Sequence, residues 1–413
     1  MDRDFDVIVF GATGYVGRLI SAELLRTAPD AGRIALAGRD EAKLKSLARE
    51  LGQPELSVVL ADAFDAEQLA SMSRRARVVI SVVGPYVKYG MATAGTCAAH
   101  GTHYVDLNGE VLFARDMIDA YDTPAKASGA TLVNACGFDS VPSDLGVLAA
   151  ATAAREAGAG ELLNTTMHLR SFSGGMSGGT IDALRTQIDA SRHGVRTPGR
   201  SSSDPYALSP DRDAEPEPRG RRNSVVWLES SGDTREFAAP FFMARYNEQI
   251  VRRSNALQGW AYGRGFRYRE MHDTGRGPAG LLRGLRTAAM LPAFVAALAT
   301  PGLRQVADRV LPAPGDGPSD QARTKGHFTI EVHADTSSGR RVLASVADRR
   351  DPGYEGTAVM ICQAALALAA GEGQATGVTT PAAGLGAGYA ERLRRQGFTI
   401  SADVSGGTDH EVG

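Results

Sequence analysis

The feature that most constrains the fold is a glycine-spaced turn that directly follows a short apolar stretch near the N-terminus. Residues 6–10 are mostly apolar and predict a strand; Gly11, Gly14 and Gly17 follow in the spacing GxxGxxG, and a helical pattern begins at Tyr15. Glycines let a backbone turn tightly and approach a pyrophosphate, whose charge a helix N-terminus stabilises. A turn without a ligand is the alternative, but the flanking strand and helix favour dinucleotide binding.

The same strand-and-helix alternation continues through the first third of the chain. Strands are predicted at residues 6–10, 33–37, 57–61, 77–83, 103–106 and 130–135. Helices are predicted at residues 14–27, 65–75, 90–100, 111–128 and 142–157, with a further one between Asp40 and Gly52. This rhythm is typical of a doubly wound parallel sheet with α/β topology. We predict a Rossmann-type domain at residues 1–150.

After Gly158 longer alternating segments appear and predict an antiparallel sheet. We therefore predict a second α+β domain, built on a largely antiparallel sheet, at residues 151–353. Residues 196–223 contain five prolines and predict a mobile surface loop. A helix from about residue 354 to 370 is apolar on almost every side, so segment 354–413 is predicted to return to the first domain and complete it.

Composition excludes several classes of protein. The net charge of -2 gives no global field for nucleic acid, and three cysteines without ligand spacing argue against a disulfide framework or a metal site. The N-terminal residues lack the pattern of a signal peptide. The longest apolar stretch, residues 288–299, is interrupted by Pro292 and falls short of the roughly 20 residues that span a bilayer. A cytoplasmic protein is expected, with binding at a membrane surface left open.

The end of the second predicted strand indicates which dinucleotide binds. An acidic residue usually contacts the ribose of NAD there, but this sequence has Gly38 and Arg39. Arginine suits a 2′-phosphate, so NADP is favoured as the cofactor. In the alternative, Arg39 is solvated and Asp40 is the acid. Asp62, after the third strand, is a candidate adenine neighbour or a helix cap.

Polar residues follow the later strands, where such sheets bind ligands. Tyr86, Lys88 and Tyr89 come after the fourth strand and are candidate proton donors for a hydride transfer, with packing of the tyrosines as the alternative. Asp106, Glu110 and Asp139 follow the fifth and sixth strands and are expected to orient a ligand or one another, whereas Ser140 and Asp144 are candidate helix caps. Residues 173–180 are glycine-rich and could offer backbone donors or a flexible connection.

The motifs GATGYVG, LAGR, VGPYVKYG, HYVDLNGE and CGFDSVPSDLG occur in the order found in saccharopine dehydrogenase-like proteins, which the chain resembles over nearly its whole length. Among these, RSFSGGMSGGT, IVRRSNAL, WAYGRGFRYRE and DPGYEGTAVM look most like the actinobacterial trans-acting enoyl reductases. The resemblance implies an NADPH-dependent reductase that works in trans on an acyl or polyketide-derived lipid intermediate, carried by a carrier protein. The cofactor-binding residues that it implies are Gly11, Thr13, Gly14, Tyr15, Val16, Gly17, Arg39, Val83, Gly84, Pro85 and Tyr86.

Two other functions stay open at this point: a saccharopine-type amino-acid dehydrogenase and an NADP-binding protein without catalysis. An amino-acid enzyme needs arginines that bind carboxylates in a compact polar site, whereas an acyl reductase needs an apolar channel. The arginines whose position would decide are Arg170, Arg245, Arg252 and Arg253.

Residues 280–303 combine large apolar residues at helical spacing with Arg283, Arg286 and Arg304. This pattern suits a helix that lies in a membrane surface and is kinked at Pro292. A buried helix between domains or subunits is the alternative. We predict partial exposure of this stretch, contact with a membrane surface, and a homodimer.

Overall fold

A computed structural model describes residues 3–28, 30–174, 204–216, 226–229, 235–307 and 326–406, together with residue 185. Within these residues, the first part of the chain forms a seven-stranded sheet, sheet A. Its strands are β1 (Phe5–Phe10), β2 (Ile34–Gly38), β3 (Ser57–Leu60), β4 (Ala76–Ser81), β5 (His103–Asp106), β6 (Thr131–Val133) and β13 (Gly377–Thr379). They lie in the order β13-β6-β5-β4-β1-β2-β3, and all neighbours are parallel.

Helices cover both faces of sheet A, which is why its strands are apolar on both sides. Val7 and Val9 of β1 pack into one core, while Ile8 and Phe10 pack into the other. The first core includes α1 (Tyr15–Thr27), α2 (Glu41–Glu50) and α10 (Thr357–Ala369). The second includes α3 (Ala66–Arg75), α4 (Tyr86–His100) and α5 (Val111–Ser128).

The second sheet, sheet B, also has seven strands among the described residues. They are β7 (Leu162–Ser173), β8 (Val226–Glu229), β9 (Arg235–Pro240), β10 (Arg267–Gly275), β11 (His327–Thr336), β12 (Arg341–Asp348) and β14 (Thr399–Ser405). The order is β14-β12-β11-β7-β10-β9-β8, and all pairs except β7 with β10 are antiparallel. The predicted fold class, a Rossmann-type sheet followed by a largely antiparallel one, is confirmed.

The remaining helices accompany sheet B or join the two sheets. They are α6 (Val141–Glu156), α7 (Ala244–Leu257), α8 (Gly277–Ala299), α9 (Pro301–Ala307) and α11 (Pro381–Arg395). Helix α6 leaves sheet A after β6 and packs on β11, β12 and β14, so it connects the two sheets. The buried Asp144 on α6 accepts hydrogen bonds from the Ser254 hydroxyl of α7 (2.5 Å) and from the Ala382 N–H of α11 (2.7 Å).

The C-terminal segment is divided between the two sheets. Helix α10 is buried against β1, β4 and β5, and β13 adds the last strand to sheet A. Strand β14, however, pairs with β12 in sheet B. The apolar surface of α10 explains its return to sheet A, whereas β14 alternates exposed residues with inward ones such as Ile400, as an edge strand with one wet face does.

The predicted mobile loop at 196–223 lies partly outside the described residues. Within residues 204–216, Tyr206 and Leu208 are buried and the segment contacts α5 and α7, so this part is anchored, and the mobility of the loop stays a prediction. The Arg252 and Arg253 guanidinium groups donate to the carbonyls of Pro205 and Leu208. Of the glycine-rich run at 173–180, the structure describes residues 173 and 174 only.

Candidate cofactor and active site

The glycine-spaced turn lies between β1 and α1 at the carboxyl edge of sheet A. Gly11 has φ +91°, and a β-carbon there would lie 2.9 Å from a Val83 methyl. A β-carbon on Gly17 would lie 2.2 Å from the Gly11 carbonyl oxygen. The protein itself therefore requires glycine at both positions, to close the turn against α1 and against the residues that follow β4.

Gly14 differs from its two neighbours. Its φ of -71° is open to any residue, and a β-carbon would meet nothing closer than the Gly11 oxygen at 3.4 Å. Gly14 is also the N-cap of α1, which has no capping side chain, whereas α2 and α3 are capped by Asp40 and Asp65. The N-terminal N–H groups of α1 therefore have no capping side chain, and there is open space beside Gly14. This arrangement fits a pyrophosphate group, so the residues present suit a dinucleotide.

The predicted nicotinamide-side residues Val83, Gly84 and Pro85 lie directly beside this turn. They follow β4, which neighbours β1 where the strand order reverses, the place where such sheets bind their ligands. The Gly84–Pro85 peptide bond is cis. The structure thus brings the two cofactor segments, 11–17 and 83–85, together at one crevice.

Arg39 stands at the end of β2, next to the glycine turn. Its side chain is exposed and forms no hydrogen bond or ion pair within the described part of the chain, so it is available to a ligand. The neighbouring Asp40 is engaged differently: its carboxylate accepts the Lys43 N–H at 3.0 Å and caps α2. This capping role explains Asp40 without a contact to ribose and leaves Arg39 as the candidate reader of a 2′-phosphate.

Asp62 lies at the same edge, after β3, and its carboxylate accepts the Phe64 N–H at 2.8 Å. Phe64 is 73% exposed, an unusual state for phenylalanine, and its ring touches the ring of Tyr89 with centroids 5.3 Å apart. The Lys88 ammonium lies 4.9 Å above the Tyr89 ring. These residues form an aromatic surface on the adenosine side of the crevice, which makes Phe64 a candidate adenine contact that sequence reasoning missed.

The structure does not support Tyr86 as a proton donor. Its side chain is buried, its hydroxyl donates to the Ser81 carbonyl at 3.0 Å, and the same oxygen accepts the Leu107 N–H at 3.1 Å. Burial raises its pKa well above the ordinary value. The hydroxyl therefore links the last residue of β4 to the first residue after β5, because α4 begins at Tyr86 itself and directs this side chain inward.

Two carboxylates organise the turns after β4, β5 and β6. Glu110 accepts the N–H groups of Tyr86 and Val87 and thereby caps α4. Asp106 accepts the N–H groups of Asn108 and Ala135 and the Asn134 amide, at 2.8 to 3.0 Å. Burial raises the pKa of Asp106 to about 6, and the three donors act in the opposite direction. Asp106 and Glu110 thus each order a backbone turn, and their orienting a ligand or one another stays a prediction.

Asp106 fixes a strained turn between β6 and α6. Ala135 within that turn has φ 62°, which side chains other than glycine rarely adopt, and such strain is concentrated at functional sites. At the far end of the turn, the Phe138 N–H donates to the Thr357 hydroxyl at 3.0 Å, and the Ser140 hydroxyl donates to Asn247 of α7 at 2.9 Å. Ser140 occupies the predicted N-cap position of α6, but its hydroxyl forms no capping hydrogen bond, and Asp144 lies within the first turn of the helix.

Asp139 occupies the middle of this anchored stretch. It is half-buried, and its carboxyl group forms no hydrogen bond or ion pair with any residue that the structure describes. Burial raises its pKa to about 6. The nearby Tyr246 hydroxyl accepts a hydrogen bond from the Asn108 amide at 3.0 Å. Asp139 thus lies where the turn after β6 meets the first turn of α7.

The second domain contributes apolar residues at this place. Phe241, Phe242 and Met243 precede α7, and the two phenylalanine rings are 4.6 Å apart. The Met243 methyl group would lie 3.3 Å from a β-carbon on Gly109, in the turn after β5. Residues 241–243 therefore bring an apolar segment of the second domain to the strand ends of sheet A, next to the polar contacts of Tyr246 and Asn247.

Three of the four arginines that could mark an amino-acid site are engaged elsewhere. Arg253 is buried and donates to the carbonyls of Leu208 and Val378, and burial lowers its pKa to about 10. Arg252 donates to the Tyr268 carbonyl. Arg170 lies on sheet B, where it is paired with three carboxylates, those of Glu236, Asp273 and Glu331. Arg245 is exposed and has an interaction of its own.

Tyr354 is another residue that sequence reasoning did not select. It follows β12 in a π-helical turn, Pro352–Gly356, and its ring meets that of Tyr15 edge-on with centroids 5.1 Å apart. Its hydroxyl is buried and has no hydrogen-bond partner among the described residues. The motif DPGYEGT pointed to this segment, but not to its place beside the glycine turn. Across the described ranges no cluster of histidine, cysteine or acidic residues suits a metal ion.

Comparison with known proteins agrees with this geometry. Residues 7–133 match the family described as saccharopine dehydrogenase NADP binding domain. A Mycobacterium tuberculosis (strain H37Rv) protein named trans-acting enoyl reductase is 40% identical over 420 residues, which cover 97% of this chain and 98% of that protein. The protein of the same name from Mycobacterium ulcerans is 38% identical over 419 residues, with the same coverage.

Solved structures show the same fold at low identity. Apo saccharopine dehydrogenase (L-Glu forming) from Saccharomyces cerevisiae has a TM-score of 0.54 at 13% identity and covers 97% of this chain and 99% of its own. Homospermidine synthase from Legionella pneumophila, in complex with NAD, also has a TM-score of 0.54, at 11% identity and with 98% and 92% coverage.

Fold, crevice and cofactor loop together define an NADP-dependent oxidoreductase. The similarity to relatives over nearly the whole chain then identifies the family and the branch. The chain belongs to the saccharopine dehydrogenase-like family, in the branch whose mycobacterial members carry the name trans-acting enoyl reductase.

Proposed function

We propose that this enzyme uses NADPH to reduce the carbon–carbon double bond of an acyl or polyketide-derived lipid intermediate. The observation that carries the proposal is the apolar segment formed by Phe241, Phe242 and Met243, which meets the strand ends of sheet A beside Gly109. An acyl chain is bound by such a surface without unpaired charge. The relatives that match over their full length are named for this activity.

Bound NADPH supplies a hydride to the β-carbon of the conjugated substrate. The chain's own residues hold the cofactor and exclude water. Gly14 and the uncapped N-terminus of α1 receive the pyrophosphate, and Arg39 receives the 2′-phosphate. The apolar second-domain segment removes solvent from the reacting carbons.

The arginine contacts argue against an amino-acid substrate. A substrate carboxylate needs a guanidinium group that it can reach. Arg253 is buried, Arg252 and Arg253 donate to backbone carbonyls, and Arg170 is paired with carboxylates. A non-catalytic NADP-binding protein is the remaining alternative.

The decisive assay follows NADPH oxidation with a trans-2-enoyl thioester, presented first on coenzyme A and then on an acyl carrier protein. We expect reduction of the enoyl thioester, with faster turnover on the carrier protein if the enzyme acts in trans. Saccharopine with NADP⁺ is the matched amino-acid substrate. Turnover of saccharopine alone would establish the amino-acid function, and NADPH binding without turnover of either would establish a binding protein.

We further propose that the enzyme is cytoplasmic and meets an anionic lipid surface through α8. By length and composition α8 is the one described helix that could cross a membrane, and most of it is exposed. Leu282, Leu285 and Met290 are 69%, 53% and 60% exposed. Residues 277–307 contain arginines and no acidic residue, which complements anionic headgroups.

Vesicle sedimentation tests this surface. Wild-type protein is expected to bind vesicles that contain phosphatidylglycerol and to bind pure phosphatidylcholine weakly. The double variant Leu282→Asp, Leu285→Asp should lose binding with its melting temperature unchanged, whereas Leu343→Asp, at an exposed leucine on β12, should bind normally. A melting temperature that collapses in the double variant would instead assign α8 to a buried interface. The homodimer stays a prediction that light scattering can test.

A further inference from the structure

The crevice still needs an assigned proton donor. The Tyr86 hydroxyl is bonded to the backbone, and Lys88 and Tyr89 lie with Phe64 on the adenosine side of the crevice. Hydride addition to the β-carbon leaves an electron pair that must be protonated at the α-carbon, so a donor has to stand within reach of the substrate. Such a group should be titratable, have a proton not already shared with the protein, and lie at the carboxyl edge of sheet A.

Asp139 meets these requirements. It lies in the turn after β6, between the cofactor domain and α7, and its carboxyl group has no partner in the part of the chain that the structure describes. The carboxylates of Asp106 and Glu110, in contrast, accept three and two hydrogen bonds each. A carboxyl group left unpaired in a half-buried position costs stability, and a ligand or a proton must compensate for it.

The surroundings hold Asp139 in place from both sides. Its neighbour Phe138 is fixed by Thr357 at the start of α10, and Ser140 is fixed by Asn247 of α7. The strained Ala135 turn is pinned by Asp106. The backbone of Asp139 is therefore held in place by its neighbours while its carboxyl group has no partner among the described residues. Such a side chain is pre-organised to interact with a ligand.

We propose that Asp139 is the catalytic acid that protonates the α-carbon of the reduced substrate, an inference that rests on the enoyl reduction proposed above. The hydride forms the new C–H bond at the β-carbon, and the electrons of the double bond move to the thioester as an enolate. The Asp139 O–H bond then breaks, and its proton forms the C–H bond at the α-carbon. The resulting carboxylate regains a proton from water at the crevice.

The raised pKa of Asp139 supports this role. Burial raises the pKa of Asp139 to about 6, so part of the population is protonated near neutral pH, as a general acid requires. Tyr246 of α7 interacts with Asp139 and also with Asp106, Glu110 and Cys136, so these are the titratable groups of the same neighbourhood. Because Asp106 titrates in the same range, only a variant of Asp139 itself assigns the effect.

Two measurements test the assignment, and one needs no acyl substrate. First, NADP⁺ and NADPH are titrated between pH 5 and pH 8. An Asp139 carboxylate beside the positively charged oxidised ring should raise the affinity for NADP⁺ relative to NADPH by about three- to tenfold with pH. Asp139→Asn should remove this dependence, Asp139→Glu should keep it, and the remote surface variant Asp335→Asn should behave as wild type.

Second, turnover on the enoyl thioester is measured across the same pH range. Wild-type kcat should fall as pH rises above about 6, and Asp139→Asn should lose about 10²- to 10⁴-fold with a flat profile. Asp139→Glu should restore part of the rate. If wild type reduces the enoyl thioester and Asp139→Asn does so equally fast, the proposed role of Asp139 is refuted and the proposed function stands. If wild type reduces no enoyl thioester, both the proposed function and the catalytic role of Asp139 are refuted, even where the cofactor titration shows that Asp139 lies beside the nicotinamide ring.

Discussion

Replacing Gly14 by alanine should separate cofactor binding from folding. In the folded protein the added methyl group meets only the Gly11 oxygen at 3.4 Å, and φ of -71° is ordinary for alanine. Alanine also restricts the unfolded chain more than glycine does, which stabilises a protein by about 0.4–1 kcal/mol at compatible sites. The melting temperature of Gly14→Ala should therefore equal or slightly exceed that of wild type.

The bound cofactor should respond in the opposite direction. A phosphate oxygen accepts a backbone N–H at about 2.9 Å, a distance that a methyl group on the N-cap residue obstructs. Loss of one charge-assisted hydrogen bond costs about 1.5–3 kcal/mol, which corresponds to about 10- to 100-fold weaker NADPH binding. NADH should weaken by the same factor, because the pyrophosphate is common to both cofactors.

Fluorescence titration of NADPH, with thermal unfolding of the same samples, measures both effects. Gly17→Ala is the contrasting variant: its β-carbon would lie 2.2 Å from the Gly11 oxygen, so it should unfold at lower temperature. Gly265→Ala, whose β-carbon would rest 3.6 Å from a Leu163 methyl in the second domain, should change neither property. A Gly14→Ala protein that binds NADPH within twofold of wild type would refute the placement of the pyrophosphate at α1.

Three further outcomes follow from the site. Arg39→Ala should weaken NADPH by about 10- to 100-fold and leave NADH unchanged, since only the 2′-phosphate contact of about 1.5–3 kcal/mol is lost; equal losses for both cofactors in calorimetric titrations would contradict it. Tyr86→Phe should lower the free energy of unfolding by about 1–3 kcal/mol, because the Ser81 carbonyl and the Leu107 N–H lose their buried partner, while turnover per folded molecule is kept; denaturant unfolding checks this, and a stable but inactive variant would return Tyr86 to the chemistry. Glu270 lies buried on β10, where its carboxyl group accepts the Asn247 amide at 2.9 Å. Burial raises its pKa from 4.5 to about 8, so the folded state binds more protons than the unfolded state in that range, and stability should fall with rising pH by up to about 1.4 kcal/mol per unit. In Glu270→Gln that slope should be shallower; an unchanged slope would mean that Glu270 is charged in the folded protein.

Local pattern was enough to predict most of sheet A. The fifth strand was predicted at 103–106 and lies at His103–Asp106, and α5 was predicted at 111–128 and lies at Val111–Ser128. Helix α4 begins at Tyr86 rather than at residue 90, because its N-terminal N–H groups are capped by Glu110, which follows the next strand. A cap so distant in sequence leaves no local signal.

That one shift also explains the Tyr86 prediction. With α4 starting at residue 86, the side chain turns back toward the core instead of into the crevice. The unpartnered state of Asp139 was equally invisible, because it depends on Asp106, Thr357 and Asn247 taking up the neighbouring donors and acceptors. Phe64 carried no signal beyond its hydrophobicity. The sequence identifies candidate acidic residues, but contacts between distant segments decide which carboxyl group has no hydrogen-bond partner.

Sheet A is completed by segments near the C-terminus: β13 pairs with β6, and α10 packs on the face of the sheet. This order affects both folding during synthesis and the design of chimeric proteins. During synthesis the N-terminus emerges first, so β6 waits at an open edge until Gly377–Thr379 has left the ribosome. A truncated product ending near residue 150 would expose that edge and the apolar face that α10 covers. The N-terminal nucleotide-binding part should therefore not fold stably by itself. A chimera between relatives must exchange the N-terminal and C-terminal segments of sheet A together.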